Sequence, residues 1–96
     1  MHLLDVKKAN DGVHKLKATF ETDSGRTKTT KFGAAGMTDY LQSKDKDRRA
    51  RYRTRHAKDL DTHDPTRAGY LAMRLLWGNS TVLAQNIRAY KREFNL

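Results

Sequence analysis

Ninety-six residues carrying a formal net charge of +9, with a pI near 10.1, make a short and strongly basic chain. The length suits one domain with one modest core and excludes a core plus a deep active-site cleft. Without cysteine, no disulfide framework and no Cys-based zinc site can hold the fold, so packing must, and a reducing compartment is compatible with the composition.

The opening Met1-His2-Leu3-Leu4-Asp5-Val6 has neither a basic leader nor a long apolar run, and the longest apolar stretch, around Ala68 to Met73, is too short to span a bilayer. A soluble chain with no export signal is expected. Leu3 to Lys7 reads as a possible strand, set off by the turn residues Asn10-Asp11-Gly12. From Val13 to Glu21, Leu16, Ala18 and Phe20 alternate with Lys15, Lys17 and Thr19, the period of a half-buried strand. Asp23-Ser24-Gly25 supplies a turn before the Thr-rich run Arg26 to Phe32, so a β-hairpin or three-stranded antiparallel meander is predicted over residues 1–33. Gly33-Ala34-Ala35-Gly36 breaks the alternation, and residues 34–43 are predicted as an irregular loop.

Charge is concentrated in the next segment. Residues 1–43 hold seven Lys/Arg against five acids, residues 44–58 eight against two, and residues 59–96 five against four. Two thirds of the excess therefore lies in fifteen residues. Lys44 to Leu60 contains no Gly or Pro, and its early acids Asp45 and Asp47 favour a helix dipole, so a helix is predicted there. On it Arg48, Arg51, Arg55 and Lys58 fall within about 80° of one another, and Ala50, Ala57 and Leu60 form a narrow apolar seam elsewhere. Arg49 and Arg53 add to the cation density. Guanidinium groups spaced along a helix pair with phosphates or carboxylates, and Tyr52 offers a stacking surface. The alternative is a merely solvated helix. Lys15, Lys17 and Lys28, with Arg26, extend the cationic surface if the outer hairpin face lies beside this helix; otherwise they guard the sheet against self-association.

Asp64-Pro65 predicts an N-cap and first helical residue for a second helix running to Trp77, apolar over most of its circumference and hence central to the core. Gly78-Asn79 ends it. Asn79 or Ser80 then caps a third helix, with Leu83, Ile87, Tyr90 and Phe94 on its buried face. The expected fold class is α+β, a single domain of 1–96 in which three helices over 44–96 follow the hairpin or meander.

Other chemistry has little support. His56, Asp59, Asp61, His63 and Asp64 meet no standard ligand spacing, so no metal site is expected. Gly33 to Gly36 lacks the Lys-Ser/Thr of a phosphate-binding loop, and no nucleophile–base arrangement is present. Neither catalysis nor a cofactor nor a small-molecule substrate is expected.

Phe32-Gly33, Gly36-Met37-Thr38-Asp39-Tyr40, Lys44-Asp45, Tyr52 with Arg55-His56, Asp64-Pro65-Thr66, Ala68-Gly69, Leu75-Leu76-Trp77, Ile87 and Phe94, in this order and spacing, resemble a family of small basic proteins of uncharacterised function encoded by large double-stranded DNA viruses, including those of algae and amoebae. The resemblance spans about residues 31–94 and departs after Trp77, where Gly78-Asn79-Ser80-Thr81 stands in place of an Asn and a Pro. It implies a minor capsid or assembly component that contacts other virion proteins through the arginine segment, or else a protein that binds double-stranded DNA without sequence preference. It also implies localisation to the virion and to the cytoplasm or nucleus of the infected cell.

Overall fold

Three strands, β1 (His2–Lys8), β2 (His14–Glu21) and β3 (Thr27–Ala34), form one antiparallel sheet in sequence order in the computed structural model, which describes residues 1–96. Alternation decides its faces. Ala18 and Phe20 of β2, Phe32 of β3 and Leu3 of β1 are buried on the side that meets the helices. On that side Thr30 Oγ1 donates to the Thr66 carbonyl at 2.7 Å, and Lys28 Nζ donates to Thr66 Oγ1 at 2.8 Å. Lys17 and Thr19, paired with Lys31 and Thr29, point the other way. An irregularity between Leu3 and Asp5 resets the β1 register and leaves Leu4 exposed.

The fold is α+β, a three-stranded sheet followed by helices. The helical half is more finely divided than three helices. Residues 34–43 are not wholly irregular, because the stretch ends in a one-turn helix, α1 (Tyr40–Ser43). Asp39 caps it reciprocally with Gln42. The buried Asp39 carboxylate also receives Lys15 Nζ at 2.6 Å, tying α1 to β2.

The predicted helix from Lys44 to Leu60 is shorter than its composition suggests. It becomes α2 (Lys46–Arg55), capped by the Asp45 side chain, followed by a 3₁₀ segment over Ala57–Thr62. Dipole chemistry accounts for the break. Arg53 and Arg55 suit the last turn of a helix, whereas Asp59 and Asp61 oppose a C-terminus and suit a new start.

Asp64 does not cap the second long helix. Its carboxylate accepts from the Thr66 amide at 2.9 Å and the Thr66 hydroxyl at 2.7 Å, which closes a turn, and α3 begins three residues beyond Pro65, at Ala68. Helix α3 (Ala68–Leu71) runs without interruption into a π-helical stretch, Ala72–Leu76, and Leu71, Met73 and Leu75 are fully buried there. Gly78 ends it because any side chain would collide: a Cβ would lie 2.2 Å from the Arg74 carbonyl oxygen. Gly33, at φ +77°, is needed for the same reason, since a Cβ there would meet Leu76 at 2.6 Å.

Helix α4 (Leu83–Phe94) follows a tight corner whose polar groups are satisfied by one buried side chain. Asn86 donates to the carbonyls of Leu75 at 3.0 Å and Ser80 at 2.8 Å, and its Oδ1 accepts from the Ser80 amide at 3.0 Å. Neither Asn79 nor Ser80 is the N-cap; that position is Val82, which makes no side-chain cap, while Ser80 Oγ accepts from the Val82 amide. Tyr70, Tyr90 and Phe94 pack ring against ring, with Tyr70 and Phe94 edge-on at 5.4 Å, and the Tyr90 hydroxyl donates to the Pro65 carbonyl.

Two outcomes test this construction. Asn86→Ala strands one buried and two part-buried partners, so urea unfolding should show a loss of about 2–3 kcal/mol. Acid stability should follow two carboxylates. Hydrogen bonds from His14 and Val13 hold Asp11 well below the usual carboxylate range, and those from Thr66 lower Asp64. Because their folded values lie below the unfolded one, their stabilisation is complete above about pH 4 and disappears as the pH falls further. Thermal midpoints recorded between pH 6 and pH 2 should therefore drop on the acid side, less steeply in Asp11→Asn and Asp64→Asn.

Candidate functional site

A helix that ends among packed neighbours leaves carbonyl groups needing donors. At the C-terminal end of the helix running from Ala68 to Leu76, α2 supplies them. Arg49 Nε donates to the carbonyls of Trp77 at 3.2 Å and Gly78 at 2.7 Å, and its Nη2 donates to Asn79 Oδ1 at 2.7 Å. Arg53 Nη1 donates to the carbonyls of Met73 at 3.3 Å and Trp77 at 2.9 Å. Burial, and then Arg49 and Arg74 nearby, hold Arg53 below the ordinary arginine value.

Between these arginines Tyr52 lies flat on Trp77, with centroids 4.1 Å apart and planes 7° apart. His56 stacks on Tyr52 as well, at 4.2 Å and 23°. Two near-parallel rings at those distances cannot share one face of Tyr52 without overlapping, so Tyr52 is the middle of a three-ring stack. The burial raises its hydroxyl pKa. The face that docks α2 is thus Arg49, Tyr52, Arg53 and His56. It is not the alanine seam, because Ala50 and Ala57 are exposed; of the three seam residues only Leu60 packs on the core.

With that face turned inward, Arg48, Arg51 and Arg55 turn outward. Arg51 and Arg55 are exposed, Arg48 is half-buried, and none of the three guanidinium groups makes a hydrogen bond or ion pair within the chain, the one side-chain contact at Arg48 being from its backbone amide to Asp45. From Arg48 to Arg55 the helix rises about 10 Å. The row is short and flanked by mixed charge, Lys44, Asp45, Lys46 and Asp47 before it and Lys58, Asp59 and Asp61 after it. Lys58, on the 3₁₀ segment, is exposed but no longer in helical register with the row.

The hairpin lysines go to different places. Lys15 is committed to Asp39 and Gln42, and Lys28 to Thr66. Lys17 stands on the outer sheet face with Lys7 on one side and Lys31 on the other. The nine cations singled out in the sequence therefore separate into an outward arginine row, internal ties at Arg49, Arg53, Lys15 and Lys28, Lys17 on the outer sheet face between two further lysines, and Lys58 by itself. Sequence reading also left out Asp39 and Asn86, buried polar residues whose importance lies in partners distant in the chain.

Beside the arginine row runs a groove of about 360 Å³, between α2 and the loop that follows β3. Arg55, His56 and Asp59 line one wall, and the exposed Met37 lies opposite on the loop. His56 Nδ1 is 3.4 Å from Asp59. No three His, Asp or Glu side chains converge as a metal site, and no helix is long and apolar enough to cross a membrane.

The two classes of arginine are separable by stability. Arg53→Met should lower the unfolding free energy by about 1–3 kcal/mol, since buried acceptors lose a charge-assisted donor. Arg51→Ala, changing only an exposed position, should stay within about 0.5 kcal/mol of wild type in the same denaturation experiment.

No curated protein and no solved structure matches the chain. One family does, over residues 4–56, a stretch that takes in all of the sheet but the first two residues of β1, together with α1, the whole of α2 and His56, and stops short of the Trp77 end on which α2 docks. Covering more than half of the sequence, that match places the chain in a family of unknown function (DUF5754).

Proposed function

We propose that this protein is a small, non-catalytic docking module that grips an acidic protein surface with Arg48, Arg51 and Arg55. The observation behind this reading is the division of labour on α2: Arg49 and Arg53 are bound internally, while three guanidinium groups on the opposite side have no partner in the chain. Free guanidinium groups held at helical spacing suit bidentate pairing with carboxylates three or four residues apart on a partner helix. Following the resemblance to small basic viral proteins, we place this docking in a virion, as a minor structural or assembly component lodged between capsid proteins.

Double-stranded DNA is the second reading, favoured by the net charge of +9. A phosphate track, however, continues past both ends of a 10 Å row, where Asp45, Asp47 and Asp61 offset much of what Lys44, Lys46 and Lys58 would add. Ends of mixed charge are easier to reconcile with a bounded protein surface.

A helical Glu-rich peptide with acids at i and i+4, and a 20-base-pair duplex, are the probes to compare. The peptide should bind wild type, and the variant R48A/R51A/R55A should lose at least about tenfold in affinity, each charged hydrogen bond being worth about 1.5–3 kcal/mol at best and much less when exposed. Duplex binding without peptide binding, with affinity falling steeply as salt rises, would transfer the function to DNA. Mass spectrometry of purified particles tests the assembly role, and absence of the chain from the particle removes it.

A further inference from the structure

The outer sheet face carries a second cationic group. The β1–β2 register sets Lys7 opposite Lys17, and the β2–β3 register sets Lys17 opposite Lys31, so three lysines form one row across all three strands. Neighbouring Cβ atoms in such a row are about 4.5–5.5 Å apart, and like charges directly opposite one another destabilise a sheet. The local acids offset this only in part. Asp5 lies 3.5 Å from Lys7 and Asp11 lies 3.4 Å from Lys31, both pairs near solvent and of little energetic weight, and Lys17 has no acidic partner. Protection against sheet stacking needs charge on the face, but it does not need three like charges in one row. A row of this kind is relieved by external carboxylates.

The lysine row and the arginine row look away from the core in different directions. Lys28, Thr30 and Phe32 face the helices, so Lys31 and its row face away from them. Helix α2 is fastened to the Trp77 end of the preceding helix through Arg49, Tyr52 and Arg53, and its free arginines point away from that junction. Helix α1 reaches this face only at its Lys15 end, through Asp39 and Gln42, and beyond that contact Lys7 and Lys31 are exposed and Lys17 is half-buried.

From this arrangement we infer that the molecule is bivalent: one monomer holds two acidic protein surfaces, one on Arg48, Arg51 and Arg55 and the other on Lys7, Lys17 and Lys31. The inference rests on the docking function proposed above and adds a cross-linking role to it. Charge complementarity identifies the second occupant as well. Carboxylates at i and i+4 on a helix stand about 5–6 Å apart, close to the spacing of the lysine row.

A sandwich assay with the full chain tests it. A Glu-rich helical peptide is fixed to a sensor surface, the protein is bound, and a fluorescent copy of the peptide is offered in solution. Wild type, monomeric by light scattering, should capture the second peptide. K7T/K17T/K31T should still bind the surface within about twofold but lose capture at least tenfold, and K17Q alone, which disturbs the sheet least, should reduce capture about threefold. Undiminished capture by the lysine variants would overturn bivalency while leaving the docking function standing. Failure of wild type to bind the fixed peptide would remove both. A sandwich formed by a 20-base-pair duplex but not by the peptide would overturn the assignment to acidic protein surfaces in favour of nucleic acid.

Discussion

The structure depends on how the helix ending at Trp77 is terminated. That helix is the most buried element of the chain, and its last carbonyls lie where water cannot serve all of them. Two guanidinium groups from α2 and the Asn86 amide from α4 reach into the same corner, so two elements meet on the end of a third. The donors are suited to the site electrostatically as well, since a cation beside a helix C-terminus meets the negative end of the dipole. Stacking of Tyr52 on Trp77 then fixes the rotation of α2 about its own axis.

Fixing that rotation is what turns an arginine-rich segment into a directed surface. A helix carrying five arginines between positions 48 and 55 would, if free, present charge on every side. Once Arg49 and Arg53 are drawn inward, Arg48, Arg51 and Arg55, spaced three and four residues from one another, are turned outward as a group. The inward arginines have a fold to hold, and the outward ones have no internal work. The same division applies to the sheet, where Lys15 secures α1 and Lys28 the turn before α3, while Lys7, Lys17 and Lys31 make no hydrogen bond or ion pair to the helical half.

Much of the fold was legible in the sequence because it follows local periodicity. The alternation of Leu16, Ala18 and Phe20 and the turn at Asp23-Ser24-Gly25 define the hairpin, and Leu83, Ile87, Tyr90 and Phe94 define α4. The break at His56 and the late start at Ala68 were harder to see, because they turn on which of several competing caps wins. Asp64 is a good N-cap in isolation, yet Thr66 two residues later offers it both an amide and a hydroxyl. The docking face of α2 was misread for a different reason. Counting apolar residues selects Ala50 and Ala57, whereas the contact is made by the aliphatic and guanidinium parts of arginines and by an aromatic stack, none of which raises the hydrophobicity of a helical stripe.

The same blindness explains why the charge total is a poor guide to partner. A net +9 spread evenly would argue for a phosphate backbone, where every cation counts equally. Here four of the cations first noticed are spent inside the fold, and acids interrupt the lysines at both ends of the outward row. What remains is a small number of oriented contacts on two separate faces. A long polyanion rewards the sum of charge, whereas a bounded acidic surface rewards its placement, and in this chain placement is what the packing around Trp77 controls.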